Sequence, residues 1–256
     1  MVQNFMSGGA TISAFARLAG AHLTVVDAGV KFDVTPGPGF IDARIANGTK
    51  NAAIEPAMTP GQCEEALRKG AELAHEAIAE GADILAPGEM GIGNTASASL
   101  LVHRLAPAPL DQVIGRGAGL DNEGLDRKRT ALAKASARTD TKDPRLVLAE
   151  FGGFEIVMMC GFMLGAAADD RIVVVDGFIA GAAALAACRI APAARERMVF
   201  AHRSAEPGVR AVLDTLEADP LLDLDLRLGE GSGAALAVPL VRAAAAILTD
   251  LADYPR

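Results

Sequence analysis

The stretch Arg171-Ile172-Val173-Val174-Val175-Asp176, followed at once by Gly177-Phe178 and then the Ala/Leu-rich run Ala182–Cys188, decides the architecture. An unbroken β-branched run bounded by a charge at each end is the pattern of a short strand buried on both faces. The run behind it reads as a helix, so strand and helix together make the βα unit of a parallel sheet. Outward from this unit the alternation recurs. His22–Val30, Ala82–Ala86, Gln112–Ile114 and Met198–His202 read as further strands. The spacing predicts an α/β fold: a doubly wound, mostly parallel sheet with helices on both faces. A small helical lobe is expected from the chain ends, with boundaries at 1–20, 21–232 and 233–256.

Helix ends are marked by their own chemistry. Thr59-Pro60-Gly61-Gln62 places Thr59 as N-cap, Pro60 at the first helical position and Gln62 at the capping-box position. That helix is expected to run to Gly81. Others are expected from near Asn94, Asp121 and Gly153, over Gly208–Leu216 and over Ala234–Ala252. Met1–Leu18 reads as an amphipathic helix that begins without a cap, which suggests a chain short at its N-terminus. Val34–Gly39 (VTPGPG) and Asn47–Asn51 form a long irregular excursion, either functional or a solvated connection.

Composition narrows the classes of function. With 256 residues and 51% hydrophobic content the chain is long enough for a large core. A net charge of -8 and the absence of Lys/Arg runs argue against nucleic acid as a partner. Cys63, Cys160 and Cys188 are widely spaced and odd in number, which favours a reducing cytoplasm over disulfides or zinc. The N-terminus lacks the pattern of a signal peptide. Apolar stretches such as Ile179–Ala187 fall short of the roughly 20 residues a membrane span needs. Twenty-seven glycines, one tyrosine and no tryptophan favour ligand binding by main-chain amides over base stacking.

Two glycine-rich turns fit that bias. Gly88-Glu89-Met90-Gly91-Ile92-Gly93-Asn94-Thr95 follows an expected strand and opens a helix, where backbone amides point at an anion. Its glycine spacing matches neither the P-loop nor the dinucleotide fingerprint, and a plain strand-to-helix turn is the alternative. Gly115-Arg116-Gly117-Ala118-Gly119 repeats the arrangement. There Arg116 is either a phosphate clamp or a solvated turn residue, and Lys128 lies on the helix that follows. Two such turns at strand ends would border a crevice at the carboxyl edge of the sheet.

Carboxylates supply the candidate acid–base chemistry. Glu230 lies among glycines in Gly229-Glu230-Gly231-Ser232-Gly233, where enclosure would raise its pKa and suit it as a general base. The alternative is an exposed loop acid or a charge at a helix start. Asp176 ends its strand as a ligand-contacting acid or a helix N-cap, and Glu89 is a third candidate. His202 and Ser204 close the Met198–Ser204 segment, but the chain shows no nucleophile elbow. His22, His75 and His103 show no metal-ligand spacing.

Six segments occur in an order that is diagnostic as a set: GEMGIGNT (Gly88–Thr95), GRGAGLD (Gly115–Asp121), EFGGFEI (Glu150–Ile156), VVDGFI (Val174–Ile179), AHRSAE (Ala201–Glu206) and RLGEGSGAAL (Arg227–Leu236). The set resembles the successive motifs of the nicotinate-nucleotide:dimethylbenzimidazole phosphoribosyltransferase family. The resemblance implies transfer of phosphoribose from nicotinate mononucleotide to 5,6-dimethylbenzimidazole, with inversion at the anomeric carbon and with no metal or cofactor. It implies Glu230 as the base that takes the benzimidazole proton. Gly91, Gly93, Asn94, Thr95, Gly115, Arg116, Gly117, Lys128 and Ser204 would serve the phosphate and ribose, and Glu89 and Asp176 would be ligand-facing carboxylates.

A homodimer is also implied. Ala118 departs from the family pattern, standing where threonine is usual, as does Ser232 at a second position. Family members carry a further segment ahead of the MVQNF helix that helps line the benzimidazole pocket. A nucleotide-binding or regulatory protein without transfer activity is therefore the alternative expectation. A Rossmann-type oxidoreductase is disfavoured, because no GxGxxG follows the first strand.

Overall fold

The computed structural model describes residues 1–250, so Leu251 and Ala252 of the last expected helix lie outside the described residues. In chain order the elements are α1 (Val2–Met6), α2 (Thr11–Ala19), β1 (Val25–Asp27), β2 (Phe40–Asp42), α3 (Pro60–Ala79), β3 (Ile84–Leu85) and α4 (Thr95–Leu105). Then come α5 (Leu110–Val113), α6 (Asn122–Ser136), α7 (Pro144–Phe151), α8 (Phe154–Ala168), β4 (Ile172–Val175) and α9 (Phe178–Ile190). A 3₁₀ turn (Pro192–Arg197), β5 (Met198–Phe200), α10 (Val209–Thr215) and α11 (Ser232–Asp250) complete the order.

Among the described residues the strand pairs are all parallel. One sheet has the order β3-β4-β5, and β1 pairs with β2 in a second. Alternation along β4 explains how both faces of the three-stranded sheet are used. Val173 and Val175 enter the main core, whereas Val174 packs with Ala234, Ala237, Val238 and Val241 of α11. Leu85 and Ile84 of β3 divide the same way, as do Phe200 and Val199 of β5. This is the α/β arrangement expected, with helices on both faces. Beneath the main face, α3 and α8 cross closely: a Cβ at Gly70 would strike the carbonyl of Met158, and one at Gly161 that of Leu67.

Several local expectations hold. Thr59 and Gln62 form the reciprocal capping box of α3. Asp121 caps α6 through the amide of Gly124, and Gly153 precedes α8. Other expectations need correction. Gln112–Ile114 does not form a strand: Leu110–Val113 is a helical turn, and only Ile114 is extended. Three residues with only Val113 and Ile114 apolar carry too little periodicity to separate the two. Met1–Leu18 is two helices, broken where Gly8 takes φ +77°.

The excursion after β1 carries a parallel crossover without a helix, and it ends in the unanticipated β2. α7 was also not anticipated, although Asp143 caps it and Pro144 opens it. Ser232–Thr249 of α11 is long and apolar enough to cross a bilayer, in contrast to the shorter apolar stretches that stand out in the sequence. The buried contacts of Ala234, Ala237, Val238 and Val241 with the sheet make its first half a core element.

Candidate functional site

The carboxyl ends of β3, β4 and β5 project Glu89, Asp176, His202 and Ser204 toward one edge of the sheet. The Gly229–Gly233 turn closes over that edge. Gly229, Glu230 and Gly231 all take positive φ, at 80°, 66° and 79°. For glutamate this left-handed conformation is strained, and such strain is characteristic of groups held for function. Three contacts impose it. The Glu230 amide donates to the Glu89 carbonyl at 2.8 Å, the Gly231 amide donates to Asp176 Oδ2 at 3.2 Å, and the Ala234 amide donates to Asp176 Oδ1 at 2.9 Å. On the other side, Gly88 sits against the Glu230–Gly231 peptide with no room for a side chain.

Asp176 is therefore the cap of α11, supplied from β4. At 3% exposure, both its oxygens are committed to backbone amides. Glu230 acts similarly on α2: its Oε2 accepts from the Ile12 amide at 3.2 Å. Among the described residues no side chain next to α2 in sequence caps it. The two carboxylates thus tie the helices at both chain ends to the sheet edge, each at a positive helix end.

A second cluster gathers on Asn94. Its amide donates to Glu89 Oε2 at 2.7 Å and also stabilises the Glu155 carboxylate at the start of α8. Burial pushes the Glu89 carboxyl up to about 7, and the Asn94 and Gly91 contacts and the Asp176 and Glu155 charges modify that effect. Burial also raises the Glu155 carboxyl, against the stabilising contact of its own amide and of Asn94. Upward displacement of an enclosed carboxyl is thus found at Glu89 and Glu155. Glu155 escaped the sequence reading, because a first-turn acid behind two glycines looks like an ordinary helix-start charge.

The third cluster is cationic. Lys128 Nζ donates to Thr95 Oγ1 at 2.8 Å and to the Gly115 carbonyl at 2.9 Å. Burial lowers its pKa, partly offset by the nearby Glu206 carboxylate. Gly117 lies against Thr95, so the turn at Gly115–Gly119 meets the start of α4 although it follows a helix end and not a strand. Gly91 and Gly93 take φ of +85° and +88° in the loop that leads there. Ser204 Oγ accepts from the Glu206 amide at 3.3 Å. Arg116 stays exposed and binds its own turn through the Leu120 carbonyl and Asn122 Oδ1, so it is not gathered into the cluster.

Besides Arg104 Nε and Arg171 Nε, the buried polar atoms lacking a protein partner among the described residues are Ser13 Oγ, Asn94 Oδ1, His202 Nδ1, Glu206 Oε2 and Ser232 Oγ, all on segments that meet at this edge. Such atoms ordinarily find a partner, so their clustering marks a place that ligand or water completes. The arrangement offers one lysine and a row of amides at helix starts for an anion, with several carboxylates a short way off for proton transfer.

Comparison with known proteins agrees with this chemistry. The phosphoribosyltransferase family model matches residues 1–255. A nicotinate-nucleotide–dimethylbenzimidazole phosphoribosyltransferase from Dechloromonas aromatica is 52% identical over 99% of this chain and 74% of its own length. One from Vibrio vulnificus is 47% identical over 99% and 75%. The crystal structure of CobT from Thermus thermophilus superposes with a TM-score of 0.93 at 46% identity, covering 97% of this chain and 75% of that one. The chain thus spans about three quarters of the length of these relatives.

Proposed function

The chain belongs to the nicotinate-nucleotide–dimethylbenzimidazole phosphoribosyltransferase family, and we propose that it moves the phosphoribosyl group of nicotinate mononucleotide to 5,6-dimethylbenzimidazole. The products are nicotinate and α-ribazole 5′-phosphate. One benzimidazole nitrogen attacks the anomeric carbon as the bond to nicotinate breaks. Glu230 takes the proton from the other nitrogen, so the transferred base ends neutral. Nicotinate leaves with the bonding pair, and its cationic ring in the nucleotide makes it a competent leaving group. In this reading Lys128, Thr95 and the amides near Gly91, Gly93, Gly115 and Gly117 hold the phosphate. Ser204 and Glu89 lie toward the ribose, and Asp176 holds the Glu230 turn.

The observation that carries the reading is that one loop joins the two parts: the Glu89 carbonyl accepts the Glu230 amide, the Glu89 carboxylate accepts from Asn94, and the adjacent Thr95 binds Lys128. Incubating the chain with nicotinate mononucleotide and dimethylbenzimidazole, and following the product by chromatography, tests it. α-Ribazole phosphate is the expected product. Nucleotide binding without product would overturn transfer in favour of a binding role. A homodimer in a cytoplasmic setting is part of the same proposal, and sedimentation of the purified chain checks the dimer.

A further inference from the structure

His202 is 3% exposed, and its ring fills the space beneath the Glu230 turn. Gly233 rests so closely on the imidazole that a Cβ there would collide with Cδ2, and a Cβ at Gly177 would come within 3.2 Å of Nε2. Nε2 lies 3.4 Å from Asp176 Oδ1. That same carboxylate receives the Gly231 and Ala234 amides, which bracket the residues following Glu230. His202 and Asp176 therefore link the ends of β5 and β4 to the turn bearing the general base. The other ring nitrogen, Nδ1, is buried without a partner. An apolar side chain of similar size would avoid that penalty, so packing alone does not account for an imidazole here.

We infer that His202 is a positioning residue for the transfer reaction: by fixing the Asp176 carboxylate it sets the placement of the Gly229–Gly233 turn and hence of Glu230. The inference rests on Glu230 being the base of the proposed reaction. Among the described residues the hydrogen bonds of Lys128 run to Thr95 Oγ1 and the Gly115 carbonyl and not to His202, so the effect should fall on turnover and spare the phosphate contacts.

The test compares His202→Gln, whose amide reaches toward Asp176, with His202→Leu, which fills similar space without a polar atom. Each is measured for kcat, for KM toward nicotinate mononucleotide, for Tm, and for amide hydrogen exchange at Gly231 and Ala234 by NMR. Misplacing a reacting group by about 1 Å costs on the order of 100-fold in rate. His202→Leu should therefore lose about that much in kcat with KM within roughly twofold, and exchange at both amides should accelerate. His202→Gln should recover most of the rate and the protection. Leucine performing as well as glutamine, or the loss appearing in KM alone, would overturn the inference. The amide-exchange comparison needs no turnover. Unprotected amides in His202→Leu alongside an inactive parent chain would therefore sink the proposed reaction and leave the positioning contact standing. Should His202→Leu fail to fold, His202→Asn replaces it. Its shorter amide does not reach Asp176, and wild-type protection in that variant would likewise overturn the inference.

Discussion

Glu230 Oε2 accepts the backbone amide of Ile12 at 3.2 Å, joining the proposed base to the first turn of a helix 218 positions away in sequence. The carboxylate therefore has two separable roles. As an acceptor it caps α2, and as a base it takes a proton. Glu230→Gln keeps an oxygen for the Ile12 amide but removes the basicity. We expect kcat to fall by about 10²–10⁴-fold with Tm nearly unchanged. Glu230→Ala should lose activity equally and also about 1 kcal/mol of stability from the missing cap. Thermal unfolding of the two variants side by side decides the point. Equal Tm values would mean that the Ile12 contact contributes nothing measurable.

Glu89 makes stability depend on pH in a definite direction. Burial raises its carboxyl from 4.5 to about 7, so between those values the folded state binds more protons than the unfolded one. The contribution of this group therefore falls as pH rises through that window, by at most ~3 kcal/mol. Asp176 and Glu155 add to the shift, whereas Asn94 and the Gly91 amide oppose it. Glu89→Gln should lose this sensitivity, so its advantage in Tm over the parent should be larger at pH 8 than at pH 5. Parallel Tm profiles across that range would show that Glu89 ionises normally in the folded protein.

Much of this was legible in the sequence where a local rule acts alone. The capping box at Thr59 and Gln62 needs only neighbours in sequence, and RIVVVD needs only its own β-branched residues. The glycines flanking Glu230 announced a turn, although not that Asp176 and Gly88 hold it in place. Illegible features are those created by convergence. Asn94, Glu89 and Glu155 meet because α8 begins where the loop after β3 ends, and no spacing in the chain encodes that. His202 looked like an unremarkable strand-end residue until β4 placed Asp176 beside it. Gln112–Ile114 failed for a different reason: two apolar residues, Val113 and Ile114, bury equally well at the end of a helical turn and in a strand.

Lys128 should govern nucleotide affinity. Two of its three donors are taken by Thr95 Oγ1 and the Gly115 carbonyl, which aims the ammonium and leaves its charge available. A charge-assisted hydrogen bond of about 2 kcal/mol corresponds to roughly 30-fold in affinity. Lys128→Met should raise KM for nicotinate mononucleotide by about that factor, with a smaller change in kcat at saturation. Glu206→Gln should lower the lysine pKa further, because the glutamate is the charge that raises it. The alkaline rise in KM should then begin at lower pH. An unchanged KM in Lys128→Met would place the phosphate elsewhere.

Gly88 offers a test of how tightly the turn must be held. A Cβ at this position would overlap the Gly231 nitrogen and the Glu230 carbonyl carbon, both backbone atoms that cannot rotate aside. Gly88→Ala must therefore push the turn away from the sheet edge, stretching the contact between the Glu230 amide and the Glu89 carbonyl and those of the Gly231 and Ala234 amides with Asp176. Overpacking of this kind costs about 1–3 kcal/mol, within what a folded domain tolerates. The displaced base should cost on the order of 100-fold in kcat. Because Lys128 and Thr95 lie outside the strained contacts, nucleotide binding measured by calorimetry should survive. A variant with normal kcat and normal Tm would show that the turn relaxes freely, and that its geometry matters less to catalysis than the contacts around Glu230 imply.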